Sequence, residues 1–230
     1  DISFDRSINP YRGCEHGCVY CFARPTHAYM GLSPGLDFET RLFAKPDAAK
    51  LLEKELSATT YKVRAIAIGT NTDAYQPIER RFLIMRNILK VLSAFRHPVS
   101  VLTKSDLIIR DLDILGPMGR ANLTRCMLSI TTEDRRLARA MEPRASTPAR
   151  RFEAIRRLAG EGIACLLITH RLDEVRQVAD RFTVLRDGAV ALSGAVAADY
   201  LHMVALGELL DRASVVQRHR ARTRHADLGQ

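Results

Sequence analysis

The chain has 230 residues, with 35 Lys and Arg against 26 Asp and Glu and a net charge of +9. Hydrophobic residues make up 47% and charged residues 27%, which excludes a disordered tail, a collagen-like fibre and a disulfide-stapled miniprotein. No apolar run reaches the roughly 18 residues of a membrane span, so no membrane partner is expected. The first residues carry no secretory signal pattern. They also lack an initiator Met, so the chain reads as a fragment or a processed protein. Five cysteines, an odd number with three inside eight residues, argue against disulfides and for a reducing, cytoplasmic setting. Charge is uneven. Up to residue 163 there are 26 basic and 18 acidic residues, and from 164 on 9 and 8. A basic body of this kind is compatible with an anionic partner such as nucleic acid.

In chain order the pattern alternates strand and helix. Residues 2–8 read as a strand and lead into a cysteine-rich loop. Residues 46–56 read as a helix with Pro46 in its first turn. Residues 63–68 form an apolar strand stopped by Gly69, and 78–95 carry helical apolar spacing. Strands follow at 99–103, 125–130 and 163–169, and helices at 106–115, 148–159 and 172–179. Such alternation predicts parallel βαβ units with right-handed crossovers. The loops after the strands then share one rim of the sheet. After residue 180 two strand-like runs flank Asp187-Gly188, a hairpin signal. Residues 199–213 read as an amphipathic helix, and 218–224 as a solvated basic tail.

Cys14, Cys18 and Cys21 are spaced C-x3-C-x2-C. Thiolates select zinc or iron–sulfur centres. A structural zinc site wants four closed ligands, and the fourth here would be His16 or His27. A [4Fe–4S] cube on three cysteines instead leaves one iron open. Tyr20, just before the last cysteine, can shield one side of such a cluster, and Gly13 and Gly17 permit a tight loop. Residues 69–79 form a polar segment after the second long strand. By itself it reads as a turn capping the next helix.

This loop resembles the cluster motif of the radical S-adenosylmethionine (radical SAM) superfamily. Its flanks, residues 9–13 and 22–24, resemble the spore-photolyase-like branch, and the resemblance runs over 1–163. It implies a radical SAM core of four βα units, a partial (βα) barrel of parallel strands. Cys14, Cys18 and Cys21 would ligate a [4Fe–4S] cluster, and S-adenosylmethionine (SAM) would occupy the open iron. One electron from a donor such as flavodoxin or ferredoxin would cleave SAM. The resulting 5′-deoxyadenosyl radical would take a hydrogen from a substrate, for which nucleic acid is one candidate class. Thr70, Asn71, Thr72 and Asp73 would line the SAM pocket, with Asp73 facing its ammonium. Lys104 and Ser129, at two further strand ends, would contact SAM, and Lys104 could pair with its carboxylate. Arg144 is implied as an anion contact, with Glu142 as its structural partner. The other expectations for the loop are a chain that binds the cluster without catalysis and a basic zinc-knuckle module for nucleic acid.

Residues 164–196 resemble instead the switch-histidine segment and hairpin of sugar-import ABC-transporter ATPases. In those proteins His170 would reach a γ-phosphate. The chain has no G-x-x-x-x-G-K-[ST], so ATP is not expected as a ligand. The segment therefore reads as a graft that supplies further strands or packs as a hairpin at the edge. Residues 197–230 then form a C-terminal helix and basic tail.

Overall fold

Ile66, Ala67 and Ile68 are buried at every position of a short strand, the mark of a strand covered on both faces. Their strand lies inside a sheet of eight. The computed structural model describes residues 5–169, 175–176, 178–186, 189–196 and 214–219. Strands β1 (Ser7–Ile8), β4 (Ile66–Ile68), β5 (Val99–Thr103), β6 (Thr124–Leu128) and β7 (Ala164–Thr169) pair in parallel in that order. Beyond β7 the sheet turns antiparallel through β10 (Ser214–His219), β8 (Arg181–Arg186) and β9 (Ala189–Ala195). A separate ribbon pairs β2 (Tyr11–Arg12) with β3 (Phe43–Ala44).

The helices are α1 (Asp37–Thr40), α2 (Ala48–Leu56), α3 (Glu79–Phe82), α4 (Ile84–Ala94), α5 (Leu112–Arg120), α6 (Arg135–Met141) and α7 (Pro148–Gly160). Burial alternates along β5, with Val99, Val101 and Thr103 inside. The main core joins these strands to Ile88, Leu89 and Leu92 of α4, Leu115 and Met118 of α5, and Ile155 and Leu158 of α7. It also takes in Cys165, Leu167 and Val178, so it runs across residue 163 without a break. Val175, Phe182 and Val184 form a second, small core. No helix among the described residues is long and apolar enough to cross a membrane.

Several expected elements differ. The helix expected over 78–95 is broken at Leu83, whose φ is +54°. The cause is Glu79: its carboxylate accepts hydrogen bonds from Met85 N (3.0 Å) and Arg86 N (3.4 Å), capping a new helix start. The strand expected from residue 63 begins at Ile66, where the ladder to Pro98 O opens, and Val63 stays exposed. The turn at 106–111 is a 3-10 helix that continues into α5 as far as Arg120. α6 and the β2–β3 ribbon are additional. Part of the expected tail is strand, since Arg218 and His219 pair with β7. The two strands expected on either side of residues 187–188 pair antiparallel as β8 and β9, with 187–188 themselves outside the described residues, and residues 175–176 and 178 are helical. The helix expected over 199–213 lies outside the described residues, as does His170.

Candidate functional site

Four of the parallel strands, β1, β4, β5 and β6, send their following segments to one rim. The segment after β1 carries the cysteines, and those after β4, β5 and β6 carry residues 69–79, 104–106 and 129–134. Gly69 makes the first of these approaches possible. Its φ is +85°, and a Cβ there would lie 2.1 Å from Leu102 O. Only glycine fits so close to the neighbouring strand.

Cys14 and Cys18 are buried and Cys21 is half-buried, all as free thiols. Burial pushes the Cys14 thiol up to about 12, opposed by the Asp73 and His16 amides that face its sulfur. Burial likewise raises Cys18 to about 11, opposed by the nearby Lys104 charge. Among the described residues no three His, Cys, Asp or Glu side chains converge closely enough to hold a metal ion. The donor set nevertheless fits a soft metal centre: three thiols on one loop, two of them shielded from water, with a cation and backbone amides ready to face thiolates. Of the two histidines weighed as a fourth ligand, His16 Nδ1 is 3.4 Å from Asp73 Oδ2. His27 Nε2 is 3.0 Å from Arg41 O, and its Nδ1 has no partner.

Asp73 is the hub of the rim. Its carboxylate accepts from Thr103 Oγ1 (2.7 Å), Lys104 N (2.7 Å) and Tyr75 N (2.8 Å). Burial opposes its ionisation, but His16 and these donors prevail and hold the carboxyl well below its usual range. Asn9 binds the same segment, accepting from Asn71 N and Thr72 N and donating to Thr70 Oγ1. Thr72 Oγ1 donates to Tyr11 O. The four residues expected at a SAM pocket are thus brought together beside the cysteine loop. Thr72 and Asp73 already spend their polar atoms on the scaffold.

Lys104 Nζ stands 5.8 Å from the centre of the Tyr20 ring. Ser129 is half-buried, and its amide donates to Thr103 O at 3.0 Å. Tyr20, Lys104, Asp73 and Cys18 therefore share one neighbourhood. Arg144 braces the loop backbone instead. Its guanidinium donates to Glu15 O and pairs with Glu39, and its amide donates to His16 O. Glu142 does not pair with Arg144 as expected. It is buried against Arg151, in the first turn of α7, and also accepts from Thr131 and Tyr20.

Sequence reading missed Gln76, Glu15 and Arg151. Gln76 Oε1 accepts from Glu15 N (2.8 Å), and its Nε2 donates to Gly13 O (3.1 Å). Glu15 in turn accepts from Ile78 N at 2.5 Å. No spacing rule flags a glutamine before a proline, so only the fold reveals it.

The radical SAM superfamily profile matches residues 8–182. The chain belongs to that superfamily. The match runs through β7 into β8, past residue 163. An uncharacterized protein of Mycobacterium tuberculosis (strain ATCC 25618 / H37Rv) is 34% identical over 195 residues, covering 84% of this chain and 57% of its own length. The chain thus spans little more than half of that relative. Two spore photoproduct lyase variants share the fold of this radical SAM chain at 20% identity. One has a TM-score of 0.51 and covers 72% of this chain and 47% of the lyase. The other, with bound AdoMet and a dinucleoside spore photoproduct, scores 0.50 and covers 69% and 43%. The glucose import ATP-binding protein TsgD13 of Haloferax volcanii is 43% identical over 63 residues, 26% of this chain and 12% of its own.

Proposed function

We propose that this chain carries the cofactor-binding core of a radical SAM enzyme, with a [4Fe–4S] cluster on Cys14, Cys18 and Cys21 and SAM beside it. The observation that carries the reading is the meeting of the cysteine loop with the ends of β4, β5 and β6 on one rim. When bound, the two groups supply a one-electron cleavage that yields a 5′-deoxyadenosyl radical for hydrogen abstraction. The chain's own residues do the rest. Asp73 fixes the β4 and β5 loops against each other through its bonds to Thr103 and Lys104. Lys104 places a positive charge beside Cys18, where thiolates need one. The carboxylate of SAM is a second candidate for that charge. Tyr20 is held by Glu142 and Thr131 with its ring near Lys104, where it would shield one side of the cluster. Val19 and Phe22 remain exposed on the loop's outer side, where a flavodoxin- or ferredoxin-type donor could approach. The net charge of +9 supports an anionic substrate such as nucleic acid.

Cys126 and Cys165 are neighbours in the β6–β7 register, inside the main core and apart from the loop. Anaerobic reconstitution of single Cys→Ala variants tests the assignment. Cys14→Ala, Cys18→Ala and Cys21→Ala should lose iron and sulfide, whereas Cys126→Ala and Cys165→Ala should retain them. Full iron in Cys18→Ala, or a colourless zinc-bound parent, would overturn it. Reductive cleavage of SAM by the reconstituted parent separates a working enzyme from a chain that only binds the cluster.

A further inference from the structure

Gln76 is fully buried, and both ends of its carboxamide are bonded to the cysteine loop. Its carboxamide reaches back 63 residues to Gly13 O and 61 residues to Glu15 N. Those are the peptide groups on either side of Cys14. One end of the side chain accepts and the other donates, so the amide fits this pair of partners in one orientation only. Glu15 closes the clamp from the opposite direction through Ile78 N. Tyr11 and Thr72 add a third tie, from Thr72 Oγ1 to Tyr11 O at 2.7 Å. Gln76 also sits three residues after Asp73, whose amide faces the Cys14 sulfur.

We propose that Gln76 is a positioning residue that locks both peptide groups flanking Cys14 and ties them to the segment carrying Thr70 to Asp73, so that a ligand on Cys14 and a ligand on that segment are held in one register. The proposal rests on the radical SAM reading for the identity of the two ligands, but the clamp itself belongs to the chain without them. A carboxamide is needed, because a residue of equal length that only accepts can hold Glu15 N and not Gly13 O.

Two variants test it. Gln76→Met keeps the volume and loses both bonds; Gln76→Glu keeps an acceptor for Glu15 N. In the cofactor-free 230-residue chain, hydrogen exchange at the Glu15 amide should be at least tenfold faster in Gln76→Met and within threefold of the parent in Gln76→Glu. After anaerobic reconstitution, both variants should take up iron. Both should show altered electron paramagnetic resonance of the reduced cluster and at least fivefold weaker SAM binding. Gln76→Glu should also leave at least fivefold less cluster reduced at a fixed dithionite concentration, because an added negative charge favours the more positive, oxidised cluster. An unchanged Glu15 exchange rate in Gln76→Met would overturn the clamp. Parent-like spectra and SAM affinity in both variants would reduce Gln76 to a packing residue and overturn the positioning role. If Gln76→Met does not fold, Gln76→Glu decides alone through its spectrum and its reduced fraction. A parent that takes up no iron sinks the cofactor reading instead, and the exchange experiment still tests the clamp.

Discussion

Arg151→Met should be among the most damaging single substitutions outside the cysteine loop. Both members of the Glu142–Arg151 pair are 1% exposed. Removing one partner of a buried pair strands the other charge, at a cost of about 3–5 kcal/mol. Arg151 also donates to Ser146 O and Ser129 O, each at 2.7 Å. Methionine fills most of the space but satisfies neither carbonyl, and buried groups left unpaired cost about 1–3 kcal/mol each. Thr131 and Tyr20 still donate to Glu142, which offsets part of the loss. A net loss of about 4 kcal/mol is expected. For a chain of this size that corresponds to about 8–16 °C in Tm. Urea unfolding of the cofactor-free chain measures it. Glu142→Gln combined with Arg151→Met removes the stranded charge and should recover about 2 kcal/mol. A single variant within about 1 kcal/mol of the parent, or a double variant no better than the single, would refute the reasoning.

Two other outcomes are expected. Burial, helped by Arg6, holds His97 below its usual range against the hydrogen bond to Pro98. The unfolded chain therefore binds this proton more readily. Its contribution to stability is full above about pH 6.5 and declines as pH falls from there towards the depressed folded value. The urea midpoint should drop between pH 7.5 and pH 5.5, and His97→Gln should drop less; equal drops would exclude this source. Gly69→Ala forces a Cβ against Leu102 O and should cost about 2–4 kcal/mol. Stability within about 0.5 kcal/mol of the parent would mean the β4–β5 approach is looser than it stands.

Short apolar runs were enough to place β4, β5 and β6: β5 and β6 carry the alternation of a strand buried on one face, and β4 is apolar and buried throughout. The cysteine spacing was legible because three cysteines on one loop are a local pattern. The break at Leu83 was not, because the capping carboxylate of Glu79 is buried by Tyr11 and Arg110, which come from distant parts of the chain. The β2–β3 ribbon has two residues per strand, too few to show a period. Glu142 was matched to the nearer arginine, whereas the first turn of α7 brings Arg151 round to it. β10 hid in a basic stretch because its partners, β7 and β8, supply the reason for it to be a strand.

The clamp on the cysteine loop has a consequence for how such a chain can change. Asn9, Tyr11, Glu15, Glu39, Asp73, Gln76, Glu142, Arg144 and Arg151 make the bonds described above, and every one lies within residues 9–151. A genetic crossover downstream of α7 leaves this whole set of bonds intact, whereas one between the cysteines and Asp73 severs the loop from its braces. Residues 9–151 thus act as one cassette as far as these bonds are concerned. The chain beyond α7, including β8 and β9, makes none of these bonds and meets the cassette instead through the core, where Cys165 and Leu167 of β7 pack beside β6.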